Sequence, residues 1–325
     1  MAKAKHTPRV FVPVLSVNPT QVNYFYRDID GFKPSKSHNA NAFHLDDNAH
    51  NGFMSAKARK RIECALSWLL YMAKPKWAVS ARTGKKFLFT INFVTLTLPA
   101  VQVHSDQEIT KRCLGNLLDI LSKKLQLKNY LWRAEAQANG NIHFHLTTDI
   151  YIPHADLRKW WNQSLELLGY VSSFELKHKH RNPNSVDVHS VKHVRRLSSY
   201  LSKYMAKNRS FPCIGELRLV NGKQIEILYG TDKYRNEQAN KKEGKVIGHI
   251  LGSRIRPITS RLWFCSRSLS AKKSFIVTGE DYRFEDVASL IKKCEFRRYD
   301  GEFVTSLYGN FAPVVDSLSR ELVSM

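Results

Sequence analysis

The sequence has few acidic residues for its length, and this shortage is the first constraint on what the protein binds. Its 325 residues include 28 acidic and 51 basic side chains, a formal net charge of +23. Such an imbalance predicts a polyanionic partner, and nucleic acid is the commonest one for a basic protein. The basic residues are spread along the chain and do not form a single terminal tail.

Three further absences exclude whole classes of protein. The five cysteines are odd in number and include no Cys-x-x-Cys pair, which argues against a disulfide framework or a zinc knuckle and favours a reducing compartment. The longest apolar run, residues 65–73, is about half the length that spans a bilayer. No Gly-x-x-x-x-Gly-Lys-Ser/Thr motif occurs, so no ATPase module is recognisable. We therefore expect a soluble cytoplasmic protein that acts without ATP and without a membrane.

Patterning divides the chain into three predicted segments. Residues 1–84 are expected to form a loosely organised N-terminal arm, with a strand at 10–15, and a packing helix at 55–74. Residues 85–210 form the core, and residues 211–325 form a smaller accessory region that is a candidate for DNA binding. With 43% hydrophobic residues, a chain of this length can bury one large core or two ordinary ones.

Local periodicity predicts further elements along the chain. They are a strand at 85–98, helices at 105–125 and 156–168, a strand at 186–191, a hairpin of 216–220 and 224–229 around Asn221-Gly222, strands at 261–265 and 274–277, and a helix at 284–294. The tail after residue 294 has no predicted structure.

The candidate site centres on two histidines. His143 and His145 lie in an apolar, β-branched run that follows Asn139-Gly140-Asn141, a turn signal. Because side chains alternate along a strand, both imidazoles face the same way.

The register of the predicted hairpin decides whether a carboxylate joins the histidines. A two-residue Asn-Gly loop would put Glu135 on the opposite face. A three-residue loop over residues 139–141 pairs Gln137 with His143, and the same register pairs Glu135 with His145. We expect this three-residue loop, since it gathers two nitrogens and an oxygen around one point, as a divalent ion requires. Taken alone, histidine pairs in strands are more often surface or hydrogen-bonded residues.

A second signal comes from residues 193–208, whose apolar side chains recur at helical spacing. On this predicted helix Tyr200 and Tyr204 lie one turn apart on one face. Lys203 and Lys207 each follow a tyrosine by three residues. For an isolated helix, the pattern would be explained as well by the aromatic edge of a core stripe with its lysines in water.

The histidine and tyrosine motifs together resemble those of the HUH endonucleases that initiate rolling-circle replication. The tyrosine pair is most similar to the initiators of small single-stranded DNA bacteriophages and some plasmids. A third motif of that family, a hydrophobic strand with Thr-x-Thr, is matched by Phe93-Val94-Thr95-Leu96-Thr97-Leu98-Pro99. The three motifs occur in the family's order between residues 86 and 210, and outside that span the resemblance is weak.

The resemblance implies a fold, a metal ion and a set of roles. The fold is α+β, with a central, mainly antiparallel sheet that carries the histidines and is flanked by helices. The ion is Mg²⁺ or Mn²⁺, and the implied roles are metal ligation by Glu135, His143 and His145, nucleophilic attack by Tyr200 and Tyr204, and charge stabilisation by Lys203 and Lys207. Which tyrosine acts first is left open.

Other residues are candidates for contact with DNA. A second His-x-His, His178-Lys179-His180, precedes Arg181 and is predicted to be a polar turn, because the local positive charge disfavours a cation. The threonines of the Thr-x-Thr strand either meet DNA or support the metal site. The candidate DNA contacts are Thr95, Thr97, Gln137, Arg181 and His189.

The resemblance also implies a function. We expect a replication initiator that nicks single-stranded origin DNA through a 5′-phosphotyrosine, in the cytoplasm of a bacterial host and with the host's helicase and polymerase. A relaxase usually places its tyrosine before the histidines, and a single-tyrosine transposase lacks the pair. A two-histidine RNA phosphoesterase needs two His-x-Thr/Ser motifs, of which only His145-Leu146-Thr147 is present. The remaining alternative is a DNA-binding protein without catalysis, although none of the motif residues has been lost.

Overall fold

A computed structural model gives the fold of the chain. It describes residues 10–28, 52, 54–80, 83–137, 139–191, 214–220, 223–229, 246–251 and 257–321.

The strands in these ranges are numbered in chain order. They are β1 (Phe11–Asn18), β2 (Gln21–Asp28), β3 (Lys76–Val79), β4 (Lys86–Phe89), β5 (Ile91–Leu96), β6 (Tyr130–Ala136), β7 (Ile142–Thr148), β8 (Val186–Val191), β9 (Ile214–Val220), β10 (Lys223–Tyr229), β11 (Val246–Leu251), β12 (Trp263–Cys265), β13 (Phe275–Thr278), β14 (Phe296–Asp300) and β15 (Val304–Gly309).

The helices are numbered in the same way. They are α1 (Ala56–Met72), α2 (Asp106–Glu108), α3 (Gly115–Leu125), α4 (His154–Glu166), α5 (Tyr170–His178), α6 (Arg267–Ser270), α7 (Phe284–Lys292) and α8 (Ala312–Glu321), with a π-helical segment (Ile109–Leu114) between α2 and α3.

The central sheet has the strand order β12-β6-β7-β5-β8, and its neighbouring strands are antiparallel. Strand alternation divides its side chains between two cores. Phe144 and Leu146 of β7 are fully buried on the face covered by α3 and α4, where the Phe144 ring meets that of Trp161. The other face carries His143 and His145. The predicted α+β fold, with an antiparallel sheet flanked by helices, is confirmed.

The histidine-bearing face of the sheet is covered at one end by α1. Phe93 of β5 and Leu131 of β6 are buried there in one core with Leu66 and Leu69 of the helix. The helix begins where the sequence predicts, because the Ser55 hydroxyl accepts a hydrogen bond from the Ala58 amide and caps the first turn. The end of this face around the histidines is therefore left to the functional groups.

A second five-stranded sheet joins the two ends of the chain. Its strand order is β13-β1-β2-β15-β14, and α7 and α8 pack against it. The predicted strand at 10–15 is confirmed and extends to Asn18, but the expectation of a loosely organised arm is wrong for residues 11–28, which form a paired hairpin. The elements β14, β15 and α8 lie in the tail that had no predicted structure. The division of the chain into three segments stays a prediction.

Two smaller sheets complete the described structure. The order β11-β10-β9 contains the predicted hairpin, with Val220 opposite Lys223, while its Asn221-Gly222 loop lies outside the described residues. Strands β3 and β4 form a separate hairpin. The single strand predicted at 85–98 is therefore wrong at Thr90, a buried bend at which β4 leaves the central sheet and pairs with β3.

The helices confirm most of the predicted positions. The helix predicted at 105–125 is present, and Ser105 and Glu108 form a capping box at its start, but the π-helical segment interrupts it. The His178-Lys179-His180 stretch is not wholly a turn, which corrects the prediction. His178 is the last residue of α5 and stacks on Phe174 one helical turn before it, and only Lys179, with φ 62°, leaves the helix. No helix in the described ranges is long and apolar enough to cross a membrane.

The turn between β6 and β7 differs from the prediction by one residue. The loop has three residues, but it spans 138–140, because the Gln137 amide donates to the Asn141 carbonyl. Gly140 has φ 84° and donates to the Gln137 carbonyl, as in a type I turn that ends in a left-handed residue. Glu135 is therefore opposite His143 and not His145. The shift is two in register, so the predicted face of Glu135 is unchanged.

The conformation of Gly140 makes a testable difference between two glycines. Gly140→Ala should lower the free energy of unfolding by about 1 kcal/mol, because an alanine at positive φ is strained although no atom lies within 4 Å of its Cβ. Gly115→Ala, at the start of α3 with negative φ, should raise it by about 0.5–1 kcal/mol. Urea denaturation of both variants measures the difference, and equal effects would contradict the turn assignment.

Candidate metal centre

Two neighbouring strands place the candidate ligands. In the β6–β7 pair, Glu135 lies directly opposite His143, and Arg133 lies directly opposite His145. All four side chains point to the same face, because their positions differ by even numbers along each strand. Their side chains are buried or nearly so, with Glu135 the most exposed at 18%.

Three donor atoms converge at this point. The Nε2 atoms of His143 and His145 are 3.0 Å apart, and Glu135 Oε1 lies 2.9 Å from the first and 3.2 Å from the second. Among the described residues, these three are the group of histidine, cysteine and carboxylate side chains close enough to share a metal ion. The predicted nitrogen and oxygen ligand set is therefore assembled in the structure.

The size of this triangle can be compared with known coordination geometries. Ligands at right angles, about 2.1 Å from an ion, are about 3.0 Å from one another. Tetrahedral ligands at about 2.05 Å are about 3.3 Å apart. The observed edges of 2.9, 3.0 and 3.2 Å fit three adjacent positions of an octahedron better than a tetrahedral site. Such a set leaves further positions open for water or a substrate oxygen.

Strand β5 holds one of the imidazoles in place. The Thr95 hydroxyl oxygen is 3.1 Å from His145 Nδ1, and the two residues face each other across the β5–β7 pair. The Phe93 ring stacks on the His145 ring at 5.2 Å between centroids. When Nδ1–H donates to Thr95, the lone pair of Nε2 is directed towards the other ligands, which is the tautomer that binds a metal.

The charges around the triad favour an ionised carboxylate. Burial acts to raise the pKa of Glu135, but hydrogen bonds from His143 and His145, together with the positive charge of Arg133, outweigh burial and lower it. The pKa of His145 is lowered from 6.5, mainly because burial disfavours the imidazolium, and the hydrogen bond to Glu135 opposes this shift. The group therefore combines a carboxylate with an imidazole that loses its proton readily, as metal ligation requires.

Two buried polar atoms of the triad lack hydrogen-bond partners among the described residues. They are His143 Nδ1 and Glu135 Oε2. The latter lies 3.5 Å from Arg133 Nη2, close enough for an ion pair but not for a good hydrogen bond. Unsatisfied buried polar atoms are costly and rare, so their clustering here indicates a site that is completed by a ligand.

A loop that follows β5 fixes the tip of the histidine hairpin. The Gln102 amide oxygen accepts from the Ile142 backbone at 2.7 Å, and the Gln102 backbone donates to Asn141 Oδ1 at 2.9 Å. Asn141 in turn donates to the Ala100 carbonyl. These contacts prevent the hairpin from slipping and so preserve the spacing of the ligands.

The candidate DNA contacts are more scattered. Thr95 supports the triad, whereas the Thr97 hydroxyl donates to the Ser185 carbonyl at the start of β8. Gln137 forms the base of the hairpin turn. Arg181 is held by two carboxylates, Glu166 at 2.7 Å and Glu175 at 2.6 Å, on helices that pack against the opposite face of the central sheet. The structure does not bring Arg181 to the triad, and contact of any of these residues with DNA stays a prediction.

The β8 strand contributes one more residue to the site. The predicted strand at 186–191 is confirmed, and it pairs Asp187 with Thr95 and His189 with Phe93. Asp187 therefore lies in one row with Thr95 and His145 across three strands. The side chain of His189 and the predicted helix at 193–208, with Tyr200, Lys203, Tyr204 and Lys207, lie outside the described residues.

Sequence reasoning did not identify three residues that shape the site. Arg133 could have been found, since strand alternation places it on the same face as Glu135, two residues away. Gln102 and Asn141 could not, because their contacts join a loop and a turn that are 39 residues apart. No local pattern in the sequence announces such a contact.

Comparison with known proteins gives one match. Residues 91–209 match the model of the family described as Replication-associated protein ORF2, a little over a third of the chain. No curated protein and no solved structure matches. The matched range begins with β5 and includes all three members of the triad, and the match supports a replication initiator that binds DNA.

The contact between Thr95 and His145 predicts a change in metal affinity. Thr95→Val keeps the shape of the side chain but removes the hydroxyl, and we expect Mn²⁺ to bind about 10- to 100-fold more weakly, as is usual when the partner of a ligating histidine is lost. Thr97→Val, two residues along the same face, is the matched control and should bind Mn²⁺ like the wild type. Calorimetric titration measures both, and equal affinities would show that Thr95 does not orient the ligand.

The lowered pKa of Glu135 predicts a pH dependence of stability in the metal-free protein. A carboxylate whose pKa is lower in the folded state stabilises the fold above its unfolded value of about 4.3, and this contribution is lost as the pH falls below that value. The free energy of unfolding should therefore fall less between pH 6 and pH 4 in Glu135→Gln than in the wild type. Urea titrations in EDTA test this, and parallel losses would refute the assignment.

Proposed function

We propose that the protein initiates rolling-circle replication by nicking and rejoining single-stranded DNA at an origin, through a 5′-phosphotyrosine intermediate. The observation that carries this proposal is the convergence of Glu135, His143 and His145 on one sheet face, within the range that matches the replication-associated family. The net charge of +23 supports a DNA partner.

The triad would hold a divalent ion, Mg²⁺ or Mn²⁺, and imidazole ligation favours Mn²⁺ of the two. When bound, such an ion neutralises charge on the phosphate oxygens of the substrate. The protein's own contribution is to keep the three donors within about 3 Å of one another in a buried place, with Thr95 orienting His145. Arg133 adds a fixed positive charge beside the carboxylate.

The nucleophile is assigned from the sequence. Tyr200 and Tyr204 are one turn apart on a predicted helix, and this helix follows β8, the strand that borders the triad row through Asp187. A phenol with an ordinary pKa of about 10 is a weak nucleophile until it loses its proton, and it is a good leaving group afterwards. Lys203 and Lys207 would stabilise the phenolate or the phosphate charge.

The reaction is a pair of transesterifications. The tyrosine oxygen forms a bond to phosphorus, the bond from phosphorus to the 3′ oxygen breaks, and the proton lost by the phenol is balanced by the proton gained by the 3′-hydroxyl. Rejoining runs the same exchange in reverse, with a 3′-hydroxyl as the attacking group. Two tyrosines would allow one to hold the first end while the other cuts the regenerated origin.

Other proteins would supply the remaining steps of replication. The sequence has no recognisable ATPase motif, so strand separation and synthesis would fall to a helicase and a polymerase of the host. The site of action would be the cytoplasm of a bacterial host. A relaxase or transposase would use the same bond exchange, but the order of the motifs favours an initiator.

The decisive experiment detects the covalent intermediate. The purified protein is incubated with fluorescent single-stranded DNA that spans its candidate origin, with Mn²⁺ or with EDTA, and is analysed on denaturing protein gels. A labelled band should appear with Mn²⁺ and disappear in the Tyr200→Phe/Tyr204→Phe double variant and in His143→Ala. The two single tyrosine variants show which residue reacts first.

The second His-x-His provides the matched control. His180→Ala removes an exposed imidazole that hydrogen-bonds within its own loop, so this variant should form as much adduct as the wild type. If the wild type binds the origin but forms no adduct with either metal, the nuclease assignment fails and a DNA-binding protein without catalysis replaces it.

A further inference from the structure

The hairpin of β3 and β4 has an unusual outer face. Trp77 lies directly opposite Leu88, and Val79 lies opposite Lys86, so these four side chains share one face of the two strands. Trp77 is 72% exposed, Val79 52% and Leu88 42%. A tryptophan is rarely so exposed, and neighbouring apolar side chains on an open surface usually mark a binding site.

The inner face of the same hairpin is firmly attached. Ala78 and Phe89 are buried, and Phe87 and Phe89 both contact the Tyr151 ring at 5.5 Å between centroids. The Lys76 ammonium donates to the Asp149 carbonyl at 3.0 Å. Since an isolated two-stranded hairpin is marginally stable, this attachment explains how the outer face is held rigid.

The charge of the hairpin identifies the kind of partner. Residues 74–91 include no aspartate or glutamate, and their basic residues are Lys74, Lys76, Arg82, Lys85 and Lys86. Lysine is depleted in the centres of protein interfaces, and a second copy of the same face would bring like charges together. An exposed aromatic ring with lysines beside it fits a nucleic acid strand, whose bases stack on the ring while its phosphates meet the ammonium groups.

We propose that the outer face of the β3–β4 hairpin binds single-stranded DNA, with Trp77 stacking on a base and Lys85 and Lys86 contacting the phosphates. The hairpin leads into β5 at Thr90, and Thr95, beside His145, is five residues further on, about 17 Å along the strand. The surface is therefore separate from the metal centre and lies outside the range that matches the replication-associated family. It rests on the proposed function only in taking DNA as the polyanion.

The test measures binding without catalysis. Full-length protein in EDTA is titrated into a fluorescent oligothymidylate of about 20 nucleotides, and binding is followed by anisotropy. Trp77→Ala should weaken binding about 5- to 100-fold, the usual loss for one stacked base, and Trp77→Phe should recover part of it. Lys85→Gln/Lys86→Gln should reduce the slope of log affinity against log salt by about 1.4, the value for two contacts with a single strand.

A matched control comes from the other end of the chain. Phe303 is 79% exposed in the turn between β14 and β15, but its neighbours include Asp300 and Glu302. Phe303→Ala should bind the oligonucleotide like the wild type. Circular dichroism of Trp77→Ala should match the wild type, because the side chain it removes is exposed.

Several results would overturn the proposal. They are unchanged binding by Trp77→Ala, tighter binding of duplex than of single strands at this face, and a Trp77-dependent change in self-association or in binding to anionic vesicles instead of DNA. The outcome is independent of the nuclease assignment. Loss of the Trp77 effect with an intact covalent adduct would refute only the hairpin surface, and loss of the adduct with an intact Trp77 effect would refute only the nuclease.

Discussion

The close approach of two imidazole nitrogens is the constraint on which the rest of the site depends. His143 Nε2 and His145 Nε2 are 3.0 Å apart, and both face the same carboxylate oxygen of Glu135. At this distance two lone pairs repel each other, and two N–H groups would compete for one acceptor. A cation shared by all three atoms removes the conflict. The turn at Gly140, the anchoring of its tip by Gln102 and Asn141, and the support of His145 by Thr95 all keep the conflict in place in its absence.

The balance of charge at the site gives this arrangement its chemical direction. The triad contains one carboxylate, and the buried guanidinium of Arg133 lies beside it. With neutral imidazoles these two charges cancel, so the positive charge of a bound divalent ion would not be neutralised by its own ligands. A site built from several carboxylates would cancel that charge. The present site therefore favours an anionic ligand, and a phosphodiester is the anion that the basic surface of the protein would attract.

The sequence predicted the parts of the site that depend on local rules and missed those that depend on distant contacts. Strand alternation was enough to place His143 and His145 together, and the even register shift kept Glu135 with them although its partner was misassigned. The turn itself was predictable, since a three-residue loop ends in a left-handed residue and Gly140 is the glycine available for that position. The break at Thr90, by contrast, arises because β3 competes for β4, and nothing within 85–98 encodes that competition. The sheet that pairs β1 with β13 joins residues more than 250 positions apart, such as Val14 and Thr278, so local periodicity cannot reveal it.

This pairing of the two ends of the chain sets the order in which the molecule can be completed on the ribosome. During translation β2 has no second neighbour until β15 has emerged, and β6, which carries Glu135, has no second neighbour until β12 has emerged. Both sheets therefore keep an open edge through most of synthesis, and open edges are where nascent chains pair with one another. A prematurely terminated copy would already contain the metal ligands, but in a sheet that is still unclosed beside them. The last quarter of the chain thus acts as a quality check on the first three.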